Sequence, residues 1–192
     1  MIEIINQAFE ESMQAKQAFL RDNIDILVKA IDALTRCFRS GNKLLIFGNG
    51  GSAADAQHIA AEFVNRFRIE RPPLPAIALT TDSSALTSIA NDYDYSQVFS
   101  KQVTALGKAG DIALAISTSG NAANVLGAVD TCRKLDIATI GLTGGNGGKL
   151  VDRVDYLLTV SASKNTARIQ ETHILVAHVI CEIVDQILFP SG

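Results

Sequence analysis

Five short apolar runs decide what this chain can fold into: KLLIFG (43–48), PAIAL (75–79), DIALAIS (111–117), ATIGLT (138–143) and DYLLTV (155–160). Each is too continuous for a strand with one face in water, and runs of this kind are strands covered on both faces. Helix-length segments separate them, near 53–66, 83–106, 121–135 and 146–153. Strands alternating with helices predict an α/β fold with a parallel sheet and right-handed crossovers. Residues 1–39 read as helical, because Ile24, Leu27, Ile31, Leu34 and Phe38 follow the three-four spacing of one apolar helix face. Ser40-Gly41-Asn42 ends that pattern. The segment from Thr166 to Leu188 reads as one long helix, apolar around much of its circumference, which suits burial in an oligomer interface. No repeat, low-complexity tract or linker interrupts the chain, so 1–192 is expected to form one domain with 1–39 as an N-terminal helical extension.

Composition narrows the class. A chain of 192 residues, 47% hydrophobic and 19% charged, suits a globular domain with a real core. A net charge of -3, a pI near 5.6 and the lack of any basic run argue against a nucleic-acid surface. Cys37, Cys132 and Cys181 lie far apart with no CxxC pair, so neither a disulfide framework nor a cysteine zinc site is expected. The start, MIEIINQAFEES, lacks a basic n-region and a long apolar h-region, so no signal peptide is expected. The most apolar stretch, ILVAHVICEIVDQILF, is interrupted by His178, Glu182 and Asp185 and is too short to span a bilayer. A cytoplasmic protein without membrane contact is the expectation.

Two turns carry the chemistry. Gly48-Asn49-Gly50-Gly51-Ser52 follows the first strand, and Ser117-Thr118-Ser119-Gly120-Asn121 follows the third. Both sit at carboxyl ends of parallel strands, where open α/β sheets bind ligands. Glycine admits close backbone approach, hydroxyls donate hydrogen bonds, and the following helix N-terminus favours an anion. GNGGSA also satisfies the dinucleotide pattern G-x-G-x-x-A, but the second strand ends in Thr80-Thr81, and Asp82 comes too late to serve the ribose. No Gly-Lys-Ser/Thr follows, so the Walker pattern fails. Two compact hydroxyl-rich cradles suit a sugar phosphate.

GNGGS, IANDY (89–93), ISTSGN, LTGGNGGKL and RIQETHILVAHVI together resemble the sugar isomerase (SIS) domain family, and more narrowly the bacterial phosphoheptose isomerases. The similarity runs through nearly the whole chain. The resemblance implies a three-layer sandwich around a five-stranded parallel sheet in flavodoxin-like order, with N-terminal helices and a long C-terminal helix. It implies a homotetramer with sites at subunit interfaces. It also implies conversion of sedoheptulose 7-phosphate into D-glycero-D-manno-heptose 7-phosphate, in heptose and lipopolysaccharide biosynthesis. A non-enzymatic SIS protein that associates with the replication initiator DnaA is similar in VNRF, ERPPLPAIAL, ALTSIANDY, RIQETH and LFP. That binder lacks the carboxylate and second histidine of the isomerase site and reads GNGTS. Here Glu62, His178 and GNGGS point to the enzyme, with DnaA binding as the alternative.

The resemblance assigns roles residue by residue. Glu62 and His178 become the acid-base pair. Asn49, Gly50, Gly51, Ser52, Asn91, Asp92, Ser117, Thr118, Ser119 and Gln170 become substrate-binding, and His58, Glu62, Gln170 and His178 become ligands of one zinc per subunit. Without it, His58 and Glu62 are an i, i+4 pair about 40° apart around a helix, the ordinary setting of a hydrogen-bonded histidine. Nothing distinguishes His173 from a structural or surface residue, Asp55 and Glu171 read as charges near helix N-termini, and Arg66, Arg68 and Arg71 suit a solvated face and receive no role. The family continues STSGNS, whereas this chain has Ala122, one hydroxyl fewer for the phosphate. Gln170 and His178 stand eight residues apart, about 12 Å along one helix and about 80° around it. A shared zinc is therefore expected to take them from two subunits packed through Ile174, Leu175, Val179, Ile180, Ile183 and Ile187.

Overall fold

A computed structural model describes residues 1–190. Residues 191 and 192, which close the expected domain, lie outside the described residues. Strands β1 (Leu44–Gly48), β2 (Ala76–Ala78), β3 (Ile112–Ser117), β4 (Ala138–Gly144) and β5 (Tyr156–Val160) form one parallel sheet in the order β2-β1-β3-β4-β5. The helices are α1 (Ile2–Arg39), α2 (Gly51–Val64), α3 (Ser83–Asp92), α4 (Val98–Leu106), α5 (Ala123–Lys134) and α6 (Thr166–Leu188). The expected α/β sandwich is therefore present.

Alternate residues of each strand feed two cores, as the pleat requires. Leu44 and Ile46 of β1 pack with Leu114, Ile116 and Leu142 beneath α1, α2 and α6. Leu45 and Phe47 pack with Ala113 and Ala115 beneath α4 and α5. β1 and β3 are buried throughout, but the edge strands are not: Ile77 of β2 remains exposed and β5 is only partly covered. Asn23 protects the β5 edge by acting as a strand residue would. Its amide donates to the Thr159 carbonyl (3.2 Å) and its oxygen accepts from the Thr159 amide (3.0 Å).

Four expectations need correction. The resemblance implies N-terminal helices, and the structure has one continuous helix of 38 residues. Its Ile24 points to solvent, while Leu27, Ile31, Leu34 and Phe38 are buried. The segment 83–106 breaks into α3 and α4, because Asp82 caps the first helix and Asp94 caps a short 3₁₀ turn ahead of the second. The segment 146–153 holds only a 3₁₀ turn at Gly148–Leu150, since Gly145, Gly147 and Gly148 adopt positive φ, which a helix excludes. Among the described residues no helix is long and apolar enough to cross a membrane.

Candidate active site

The site is built where β1 and β3 end side by side, with Gly48 paired to Ile116. After β1 the chain turns through Asn49 and enters α2 with Gly50 as its N-cap (φ 57°). After β3 it turns through Gly120 (φ 64°) and enters α5 with Ala122 as its N-cap. Neither N-cap residue bonds the first amides of its helix through a side chain, although Asn124 Oδ1 accepts from the Val125 amide within the first turn of α5 (2.9 Å). An alanine N-cap costs α5 about 0.5–2 kcal/mol relative to serine and leaves the amides of Ala123 and Asn124 free for an anion. Ala122 thus removes a hydroxyl but leaves the helix N-terminus open.

The two turns are fixed to each other. Asn49 and Asn124 exchange side-chain amide bonds, Nδ2 of Asn49 donating to Asn124 Oδ1 (2.9 Å) and Nδ2 of Asn124 to Asn49 Oδ1 (2.8 Å). The Tyr95 hydroxyl donates to the same Asn49 oxygen (3.3 Å), drawing the corner between α3 and α4 over the first turn. Asn121 clips the second turn to the LTGGNGGKL loop, donating to the Ser119 carbonyl (2.8 Å) and accepting from the Lys149 amide (3.1 Å). Gly120 is required there: besides its positive φ, a Cβ would strike the Gly147 carbonyl. Gly51 is required for a different reason, since a Cβ on it would collide with the side-chain amide of Gln170. Among the described residues the hydroxyls of Ser52, Ser117 and Thr118 bond to nothing in the chain, and Ser119 Oγ only accepts, from the Asn121 amide (3.2 Å). All four hydroxyls are therefore free to donate to a bound anion.

Further along α2, a second cluster forms against α6. His58 Nε2 lies 2.9 Å from His178 Nε2, and Glu62 Oε1 lies 3.4 Å from His58 Nε2. Phe67 stacks on the His178 ring (centroids 5.5 Å apart, 25° between planes) and shields one of its faces. α2 and α6 run in the same direction, so Gln170 meets Gly51 while His178 meets His58.

Two imidazoles and a carboxylate have the donor chemistry of a zinc site. Two nitrogens each about 2 Å from a tetrahedral zinc stand roughly 3.3 Å apart, close to the spacing of the imidazole pair. Yet among the described residues no three histidine, cysteine or carboxylate side chains converge as a cage, and Gln170 of the same chain sits at the other end of α2. One chain supplies the imidazole pair, not the whole four-donor set.

Other expected residues fall elsewhere. Asn91 and Asp92 are exposed at the end of α3 and bond to each other (2.8 Å), with no hydrogen bond to either turn. Asp55 is no free terminal charge: burial pushes its carboxyl above the usual range, and one of its oxygens has no partner. Glu171 is held below the usual range by Arg168, which bonds it at 2.6 Å, despite partial desolvation. His173 is buried, with Nε2–H donating to the Thr143 carbonyl (3.0 Å), and burial pushes its pKa down to about 4. Arg71, read as solvated, is buried. Ile180 faces the protein's own core rather than a partner, whereas Leu175 and Ile187 are exposed. Asn124 and Tyr95 were missed; no local pattern marks them, because each acts across a long sequence separation.

A model of the SIS domain matches residues 8–144 of this chain. The phosphoheptose isomerase of Thermodesulfovibrio yellowstonii is 53% identical over 185 residues, covering 96% of this chain and 92% of that protein. That of a Roseiflexus species is 56% identical over 180 residues, covering 94% and 91%. The solved structure of phosphoheptose isomerase from Neisseria gonorrhoeae superposes with a TM-score of 0.90 at 47% identity, covering 96% of this chain and 98% of that one. The chain therefore belongs to the SIS-domain family and, within it, to the phosphoheptose isomerases, a family of sugar-phosphate isomerase enzymes.

Proposed function

We propose that the protein converts sedoheptulose 7-phosphate into D-glycero-D-manno-heptose 7-phosphate, a step toward the heptose of lipopolysaccharide. The observation that carries this reading is the distance between cradle and cluster. Ser52 and His58 stand six positions apart, about 9 Å along α2. That span suits a seven-carbon sugar with its phosphate in the turns and its carbonyl end at the His58, Glu62 and His178 side chains. Side chains on a helix lean toward its N-terminus, so Glu62 reaches back toward the sugar.

Isomerisation requires a proton to leave C1 of the ketose, giving an enediol(ate), and a proton to arrive at C2 as O1 gives up its own. Glu62 and His178 serve as the acid-base pair, one group accepting from carbon while the other neutralises the developing oxyanion. Phe67 against His178 limits water on that side. Zinc is the proposed cofactor, held by His58, Glu62 and His178, with Gln170 supplied by a neighbouring copy in a homotetramer; bound there it would polarise the sugar's oxygens. The separation of Gln170 from His178 within one chain and the exposed Leu175 and Ile187 support the shared site.

The test is incubation of the purified, metal-replete protein with sedoheptulose 7-phosphate and analysis for the aldose. Ser119→Ala is expected to raise KM several-fold with a smaller change in kcat, because phosphate binding is largely common to ground and transition states. Absence of aldose product would turn attention to binding of the replication initiator, by pull-down.

A further inference from the structure

Arg71 leaves the loop after α2 and buries its guanidinium against α6. Its side chain is 1% exposed and that of its partner Asp185 is 4% exposed. Nε donates to Asp185 Oδ1 (2.9 Å). One terminal nitrogen donates to the carbonyl of Phe63 (2.7 Å) and the other to the carbonyl of Glu62 (2.8 Å). Further bonds reach the carbonyls of Asn65 (3.3 Å) and Pro72 (3.2 Å). The last carbonyls of a helix lack intrahelical partners, and α2 has no basic residue in its own last turn. Arg71 serves that end from outside.

The position is informative. Glu62 lies in the final turn of α2, the part of a helix that frays most readily. Asp185 follows His178 by seven residues, two turns later on the same face of α6. One guanidinium thus holds the main chain of Glu62 and, through Asp185, the helix that carries His178. The cradle lies at the other end of α2, where Ser52 is about 15 Å from Glu62 along the axis.

We infer that the buried Arg71–Asp185 pair is a positioning clamp that sets the spacing of α2 and α6, and with it the approach of His178 to Glu62 and His58. The inference rests on the isomerase reading of that site and adds two residues to it. Neither touches substrate; both act through the main chain and the helix spacing. A displacement near 1 Å at reacting groups costs on the order of 100-fold in rate, so the clamp should appear in kcat and leave KM nearly alone.

Removing one partner strands a buried charge, so Arg71→Met by itself is expected to unfold at lower temperature. The double variant Arg71→Met/Asp185→Leu removes both charges and keeps the volume, and it is expected to recover most of that loss. Its kcat should nevertheless remain down by roughly 10- to 100-fold with KM within about 3-fold. Arg71→Lys keeps the countercharge but gives up the fork onto the carbonyls, and should fold with an intermediate kcat. A readout independent of turnover comes from the imidazoles. The protein has three histidines, so selective labelling resolves the magnetisation transfer between the His58 and His178 rings, expected to weaken in the double variant. Wild-type kcat with an intact ring contact in a folded double variant would overturn the clamp, as would the same result for Arg71→Lys if the double variant does not fold. If the wild-type protein turns over no sugar phosphate, the isomerase reading fails, and the ring contact alone still decides the clamp: its retention in the variant overturns the inference, its loss sustains it.

Discussion

Glu62→Gln is expected to lower turnover by at least ~100-fold, the low end for a positioned acid-base group. The substitution keeps the shape of the side chain and its reach to His58, 3.4 Å away, and takes away its negative charge and its ability to accept a proton, so it is assayed with zinc in excess. The phosphate cradle lies at the opposite end of α2, so KM should change by no more than a few-fold. Steady-state kinetics with a thermal melt separates the two effects: a fallen kcat with an unchanged melt assigns the loss to chemistry. A variant that keeps wild-type kcat would remove Glu62 from the acid-base pair and leave His178 as the only candidate.

Acid should weaken the fold through His173, a residue outside the chemistry. Burial pushes its pKa down to about 4 in the folded protein, while the unfolded side chain titrates near 6.5. Between those values the unfolded chain binds the proton and the folded chain does not. Stability is therefore fully present above about pH 6.5 and falls as the pH drops toward about 4, by an amount on the order of 3 kcal/mol. Asp55 acts in the opposite sense, because its raised carboxyl takes up a proton more readily in the folded state. The difference between wild-type and His173→Gln denaturation midpoints at pH 7 and pH 4.5 isolates the histidine. Glutamine can still donate to the Thr143 carbonyl but has no proton to gain. A flatter acid limb in the variant is the expected result; parallel limbs would contradict it.

Strands and helix starts were legible because local periodicity and glycine decide them. The five apolar runs became the five strands, and GNGGS and STSGN became turns at adjacent strand ends. Residues 146–153 misled because their apolar and basic content reads as helix, while Gly145, Gly147 and Gly148 impose φ values that only a turn accommodates. Arg71 looked like surface because arginine is seldom fully buried. Its true setting depends on Asp185, 114 residues away, which had registered only as an interruption in an apolar run. The Asn49–Asn124 pair is invisible for the same reason, its members standing 75 positions apart. Contacts of this range follow from topology, so a single sequence shows the parts of such a network without showing that they meet.

Turnover of sedoheptulose 7-phosphate in deuterium oxide tests the central claim most directly, because one measurement reports both the reaction and its route. An enediol(ate) formed by Glu62 and His178, with Glu62 partly open to water, exchanges its abstracted proton with solvent. The account predicts aldose 7-phosphate carrying deuterium at C2 in at least part of the product. No aldose, or aldose wholly free of deuterium, would contradict it.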